Sequence, residues 1–494
     1  MTARRNRRVA PGMLALTLAF IGALAVSEFA SAQSKTVIDQ LRYPKLSDIP
    51  IPVVVRETLP NGMKLLLVED HEFPVVGLQA FVRGGMLAEP AGKSAVTELV
   101  GDVLRSGGTQ AMTGDAMDER LDRLGASLSS WGDTNSVRIN GRSLTEHLDA
   151  VLPLFADMLR KPAFAEDKVA LARRLLASTV SRRNDNVQEI TQREFLKLLY
   201  GKGSPYARQL EYADLDGVTR DDLVSYHATT FRPDATIIAV FGDFKTEDMK
   251  RRMAQLFGDW KPQGVLPTYR APALPAAKGS VNHVEKKDVE QTFLFLGHPG
   301  LRYDDPDYPA VRVMTDLLGG GFASRIFKKV RTEMGLAYGA GGSIVPAYDH
   351  QGFFFFYTST KPSTTTVALR AILDEVKRIR EAPVTDEELN YAKSAYLNTY
   401  AFDFDSKEKV IRRLLTYDFY GYPPDFNTRL RNAVEHVTKE DVLRVAKKHL
   451  QPDLLSIVAV GIRERFDKPL DTFGPVNVID ITIPEPKPKA PSPK

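Results

Sequence analysis

The chain has no cysteine, only two tryptophans, and no long apolar run after its first thirty or so residues. Without cysteine there is no disulfide framework, no lipid-attachment thiol and no thiolate zinc site. The one apolar run, Met13 to Val26, follows Arg4, Arg5, Arg7 and Arg8 and precedes the small-residue site Ala30-Ser31-Ala32. That is the pattern of a secretory signal peptide over residues 1–32. At about fourteen residues the run is short for a membrane span. The expectation is an exported chain beginning near Gln33, periplasmic or alternatively secreted, with no membrane insertion. Excess charge of one sign is lacking too. Residues 1–32 hold four Arg and one Glu, so without them the formal charge falls from +4 to +1, which gives no basis for nucleic-acid binding.

Several catalytic signatures are also missing. No two of the eight histidines (His71, His147, His227, His283, His298, His350, His436, His449) are four residues apart, so no one-helix zinc site of the H-E-x-x-H or H-x-x-E-H kind exists. His71, beside Glu69, Asp70 and Glu72, would need distant partners to bind a metal. Gly92-Lys93-Ser94 imitates a phosphate loop, but Leu87 stands where its first glycine belongs. Gly341-Gly342-Ser343-Ile344-Val345 lacks the last glycine of a nucleophile elbow.

What is present is an alternation of strands and helices. Lys64–Val68 and Val75–Val82 read as strands, Ala95–Leu104 as an amphipathic helix, Gly125–Ile139 as a strand, and Leu144–Leu159 and Asp167–Arg183 as helices. Phe353-Phe354-Phe355-Phe356-Tyr357 reads as a buried strand. Gln79–Arg83 and Gly125–Asp133 are candidate sheet edges to which a peptide adds by main-chain pairing. The strongest organising signal is a repeat. VTRDDLVSYHATTFRPDATIIAVFGDF from Val218 matches VTKEDVLRVAKKHLQPDLLSIVAVGI from Val437, with Thr219/Thr438, Pro233/Pro452, Asp234/Asp453 and Gly242/Gly461 at one offset of 219. Each copy is a Thr-capped helix with an acidic first turn, a Pro-Asp turn and a strand ending at Gly.

The chain therefore divides into a signal peptide (1–32), an irregular lead (33–52), a first domain (53–261), a Pro-rich linker (262–279), a second domain (280–470) and a tail (471–494) disordered at its Pro/Lys end. The richest chemistry lies in Asp316–Tyr338, DLLGGGFASRIFKKVRTEMGLAY. Gly319, Gly320 and Gly321 permit a tight turn, a basic helix carries Lys328, Lys329 and Arg331, and Gly335 precedes Tyr338. Arg331 and Tyr338 are donors suited to a peptide carbonyl or its oxyanion; the plainer reading is a surface Arg in an ion pair with Glu333 or a neighbour and a Tyr packed in the core. The two lysines solvate their helix or attract an acidic peptide.

With EDHEFPVVGLQAFVRGGML, AVTELVGDVLRSGGT, LGASLSSWGDT and SPYARQLEYADLDGVTRDDL, this segment resembles the insulinase/pitrilysin/mitochondrial-processing-peptidase family over about residues 53–465. The resemblance implies an α+β fold of two homologous two-layer domains, each a mainly antiparallel sheet with helices on one face. Two such units close as a clamshell over an extended peptide. Active members carry H-x-x-E-H on a first-half helix, with a further Glu downstream. Anchored on Leu104, those positions are Glu98, Gly101 and Asp102, and the downstream one is Ser178 or Thr179, so the zinc centre cannot assemble here. Glu98 and Asp102 share a helix face, either as a site for a hard cation or, the plainer reading, as a solvated or ion-paired carboxylate pair. Arg331 and Tyr338 match the family's substrate-contacting pair, with Gly319, Gly320, Gly321 and Phe322 as substrate-binding neighbours.

Three expectations follow. The first is a non-zinc subunit of an exported heterodimeric zinc peptidase, inactive alone and with no cofactor of its own, whose zinc-bearing homologous partner supplies Zn²⁺ and whose substrate is a peptide. The second is a non-enzymatic peptide-binding or scaffold protein of the same fold. The third is an independent metallopeptidase with an unrecognised site.

Overall fold

The computed structural model describes residues 52–265, 267–276 and 278–485. The signal-peptide reading, nearly all of the N-terminal lead and the end of the Pro/Lys tail fall outside them. The first half runs β1 (Val55–Thr58), β2 (Lys64–Glu69), β3 (Val75–Arg83), α1 (Val96–Ser106), α2 (Gly114–Arg123), the hairpin β4 (Ser127–Gly132) and β5 (Ser136–Leu144), α3 (Leu148–Arg160), α4 (Glu166–Arg182), α5 (Val187–Tyr200), α6 (Tyr212–Asp216), α7 (Arg220–Thr230), β6 (Thr236–Gly242) and α8 (Thr246–Phe257). The second runs β7 (Ser280–Glu285), β8 (Thr292–Pro299), α9 (Tyr308–Gly319), the hairpin β9 (Ala337–Val345) and β10 (Phe353–Thr360), α10 (Thr365–Arg378), α11 (Asp386–Phe402), α12 (Lys407–Tyr420), α13 (Phe426–Glu435), α14 (Lys439–His449), β11 (Ser456–Gly461) and β12 (Val476–Val478).

Each half builds a six-stranded, mainly antiparallel sheet, in the orders β1-β2-β6-β3-β5-β4 and β12-β7-β11-β8-β10-β9. The chain is thus α+β with two homologous domains. The repeat is visible in detail. Thr219 and Thr438 each form a capping box with an aspartate three residues on, Asp222 and Asp441, fixing where α7 and α14 begin. The strands that follow each run parallel to one neighbour, β6 to β2 and β11 to β7, and antiparallel to the other.

The apolar stripe of α1 (Val96, Leu99, Val100, Val103, Leu104) is wholly buried in the first core. Two local expectations need correction. Gly125–Ile139 is not one strand but the hairpin β4–β5, because the Asp133 carboxylate accepts the N–H groups of Asn135 (2.9 Å) and Ser136 (3.1 Å) and turns the chain. Gln79–Arg83 is not a sheet edge, since β3 is paired on both sides, with β5 and β6. The free edges beside the helical layers are β4, within the predicted 125–133 region, and β9.

Helices also cover the other faces of the two sheets, by exchange between halves. Ile190, Phe195 and Leu199 of α5 pack on Phe293, Phe295 and Phe353 of the second sheet, and Val410, Ile411 and Leu414 of α12 pack on Leu66, Phe81 and Ala239 of the first. Phe195 lies 4.9 Å from Phe295 and 5.6 Å from Phe353 between ring centroids; burying such a ring contributes roughly 2–3 kcal/mol. The halves are pinned further by Asp349, which accepts from Asn135 at 2.5 Å and from the Tyr206 hydroxyl at 2.7 Å.

Candidate functional site

The Asp316–Tyr338 segment occupies the β9 edge of the second sheet. Helix α9 ends at its glycines for two separate reasons. A Cβ on Gly319 would lie 2.3 Å from the Gly342 amide nitrogen of β9, and Gly321 adopts φ +140°, a conformation L side chains rarely take. After a short helical turn at Arg325–Phe327, residues Lys328–Glu333 widen into a π-helical turn, a feature found often at functional sites. Its closing bonds run from the N–H groups of Met334 and Leu336 to the carbonyls of Lys329 (3.1 Å) and Val330 (2.9 Å). Gly335, at φ +62°, then turns the chain into β9. The turn is anchored below by Arg325, whose guanidinium forks onto Glu388 at 2.7 and 2.8 Å.

This backbone places the Arg331 guanidinium 4.9 Å from the Phe327 ring and 4.8 Å from the Tyr338 ring. Cation–π contact with two rings holds the guanidinium without consuming its N–H donors. Phe322 extends the stack, edge-on to Phe327 at 5.0 Å. Tyr338 is 83% exposed and Phe322 76%. The plainer sequence reading does not apply to either residue: Glu333 pairs with Lys329 at 2.9 Å rather than with Arg331, and Tyr338 is not a core residue. Phe327 is the member of the stack that sequence reasoning missed, although its i−4 spacing from Arg331 places it on the same helical face.

The helix expected to carry a metal site is built differently. A Cβ on Gly101 would lie 2.1 Å from the Gly132 nitrogen and 2.6 Å from the Trp131 carbonyl carbon, so α1 lies directly on β4 there. The Ser130 hydroxyl closes the contact by donating to the Gly101 carbonyl at 2.6 Å. Glu98 is largely buried and its Oε2 has no partner. Burial first, and then the nearby Glu89, push its carboxyl up to about 7. Glu89 itself accepts the Thr97 N–H at 2.9 Å and the Arg208 guanidinium. Burial raises Asp102 as well. At the downstream position on α4, the Thr179 hydroxyl donates to the Leu175 carbonyl at 3.3 Å and the Ser178 carbonyl accepts from Ser181 at 2.7 Å. No histidine joins this group. Carboxyls at the two histidine positions, and a glycine sealed by a strand where the general base belongs, do not fit the H-x-x-E-H zinc site.

Among the described residues, one cluster brings metal-type donors together, Asp305, Asp307 and His449. There Asp307 already holds Arg444 (2.6 Å), Lys448 (2.7 Å) and His449 (2.8 Å), so its charge is spent on cations. His71 is clamped between Asp243 (2.6 Å) and Glu69 (2.9 Å). Lys93 of the false phosphate loop donates to Asp222 and to the Gly217 carbonyl, both at 2.8 Å.

Comparison with known proteins identifies the family and the fold. The family model described as insulinase (peptidase family M16) matches residues 64–213, and that described as peptidase M16 inactive domain matches residues 217–396. The non-peptidase homolog YmxG of Helicobacter pylori is 23% identical over 401 residues, covering 80% of this chain and 91% of that protein. An uncharacterized zinc protease of Rickettsia felis is 23% identical over 399 residues, covering 79% and 93%. The crystal structure of a peptidase M16 inactive domain from Pseudomonas fluorescens superposes with a TM-score of 0.76 at 26% identity, covering 85% of this chain and all of that one. A protease from Helicobacter pylori gives 0.73 at 19% identity, covering 83% and 99%.

Proposed function

Because this chain belongs to the insulinase (M16) peptidase family and lacks that family's zinc ligands, we propose that it is the non-catalytic subunit of an exported, periplasmic heterodimeric peptidase. A homologous partner bearing H-x-x-E-H supplies the zinc and the general base. This chain supplies half of the chamber and the Arg331–Tyr338 pair, with Gly319, Gly320, Gly321 and Phe322 beside it. The guanidinium and the phenol hydroxyl donate to the carbonyl of a bound peptide and to the charge that develops on it; the free edge of β9 offers main-chain pairing to the same peptide.

The observation that carries this reading is an asymmetry. No histidine stands at the metal positions Glu98, Gly101 and Asp102, whereas Arg331 is held between two rings with its donors unpartnered among the described residues and Tyr338 stands 83% exposed. An exposed aromatic beside an arginine held by ring contacts alone is arranged for a ligand rather than for the fold. The test is to purify the chain with a zinc-bearing homologue encoded in the same genome. The expected result is a stable complex whose peptidase activity falls about 10²-fold on Arg331→Ala, and less on Tyr338→Phe, with the complex intact. Failure to associate, or activity indifferent to both changes, overturns the reading. A complex that forms and performs its role without either side chain supports instead the scaffold reading, which the name of the Helicobacter pylori relative, a non-peptidase homolog, favours.

A further inference from the structure

Between the outer face of the first sheet and the amino end of α12 lies a cleft of about 620 Å³, within the size range of small-molecule sites. Its floor is two cross-strand rows. Gln79 of β3, Asn140 of β5 and Ser129 of β4 stand opposite one another, and one step along Arg142 stands between Gly77 and Ser127. Among the described residues none of the side chains of Gln79, Asn140, Ser127, Ser129 and Arg142 has a hydrogen-bond or ion-pair partner. Gln79 is only 3% exposed, and its Oε1 is buried and unsatisfied. Buried amides are normally paired, so an unpaired one lining a cleft points to a ligand that completes it.

The repeat provides an internal control. Gln79 is opposite Ala239 and Phe295 is opposite Val458, and positions 239 and 458 share the repeat offset of 219. Gln79 therefore corresponds to Phe295, and their cross-strand neighbours Asn140 and Tyr357 correspond in turn. In the second half these positions are aromatic and closed: Phe195 of α5 packs on Phe295, and Phe293 stacks on Tyr357. The architecture accepts apolar side chains here, so the polar floor of the first half is not a requirement of the fold. Helix α12 covers the apolar end of the Gln79 row, Leu66 and Ala239, together with the neighbouring Phe81, which meets Phe419 at 5.7 Å and carries Arg138 at 4.4 Å over its ring; the Gln79–Asn140 end of the row lines the cleft.

The charges of the cleft indicate what enters. Lys407 is held by Asp70 (2.7 Å) and Glu72 (2.8 Å), and Asp405 pairs with Lys409 at 2.8 Å. Two charged side chains of the lining are left without partners among the described residues, Arg142 and Glu408, one of each sign. We propose that this cleft binds a short free peptide as a zwitterion, its carboxylate on Arg142, its ammonium on Glu408 and its amides on Gln79 and Asn140. The site is on the first sheet, away from the β9 edge that carries Arg331 and Tyr338, and does not rest on the heterodimer reading.

Titrate the full mature chain, by calorimetry and by amide chemical shifts, with unblocked trialanine, its N-acetylated form and its C-terminal amide. Saturable binding of the unblocked peptide is expected, weakened about tenfold by blocking either end. Arg142→Met is expected to weaken the unblocked peptide equally and to abolish the difference made by the C-terminal amide; Glu408→Gln is expected to do the same for the N-acetyl group. Both substitutions are at exposed positions and leave the core untouched. Gln79→Phe, which installs the residue of the second half, is expected to abolish binding with the melting temperature retained. No saturable binding, equal affinity for blocked and unblocked peptides, or binding unchanged by Arg142→Met and Glu408→Gln overturns the proposal.

Discussion

The two halves of this chain share the order and direction of five sheet strands, a capped helix and an exchanged outer helix, yet they differ in the chemistry of their side chains. In the first half the helix over the edge strand carries the carboxyls Glu98 and Asp102 around Gly101, and the outer sheet face is polar and open at Gln79 and Asn140, beside the apolar part that α12 covers. In the second half the corresponding helix ends in glycines that launch the Arg331–Tyr338 segment, and the outer face is filled by Phe293, Phe295, Phe353 and Tyr357. Both halves nonetheless use one device, a glycine that lets a helix rest on the hairpin: Gly101 against Gly132, and Gly319 against Gly342. Duplication preserved the packing rules and released the side chains that the packing did not need.

The largest effect should come from breaking that shared device. Gly101→Glu, alone or with Glu98→His and Asp102→His to rebuild H-x-x-E-H, drives a side chain into the β4 backbone. It should cost about 3 kcal/mol or more and yield no stoichiometric zinc, measured by denaturant unfolding and elemental analysis. Gly319→Ala should cost a similar amount in the other half.

Next is the buried Glu98, whose carboxyl, raised to about 7, binds a proton more tightly folded than unfolded. Stability is therefore lost as pH rises from its unfolded value near 4.5 through 7. Glu98→Gln should gain up to about 3 kcal/mol at pH near 8 and little at pH near 4; melting curves at both pH values decide it. The opposite sign belongs to His227 and His298, one in each half, both held down to about 4 by burial. Their contribution is complete above pH near 6.5 and fades as pH falls toward 4.

Asp349→Ala removes the acceptor shared by Asn135 and Tyr206 and should cost about 2 kcal/mol, loosening the halves from each other in hydrogen exchange. The smallest effect is expected at the site itself. Tyr338→Phe should change stability by less than about 0.5 kcal/mol, because the ring is exposed; a large loss would return Tyr338 to the structural role from which the comparison separates it.

Much of this was legible in the residues. The 219-residue offset announced the duplication, the Thr caps marked where α7 and α14 begin, and the spacing from Arg331 to Tyr338 across Gly335 marked a segment whose arginine and tyrosine the structure brings into contact. Local signals carry such features: a cap, a turn glycine and an apolar period act over a few residues. The hairpin at Asp133–Ser136 was missed because its turn rests on an Asp side chain accepting backbone N–H groups rather than on glycine or proline. Gln79–Arg83 reads as an edge in the sequence and is an interior strand in the fold, because alternation alone does not reveal how many neighbours a strand has.

By itself, then, the sequence determined the duplication and the lack of an H-x-x-E-H motif, since each is a property of residue type and spacing, while its resemblance to the peptidase family carried the class of fold and singled out Arg331 and Tyr338. Only the tertiary structure decided that α5 and α12 are exchanged, that Gly101 is sealed by β4, that Phe327 and Tyr338 flank Arg331, and that Gln79 and Asn140 floor an open cleft. Those facts depend on contacts between residues far apart in the chain, and the energy of such contacts is set by which surfaces meet.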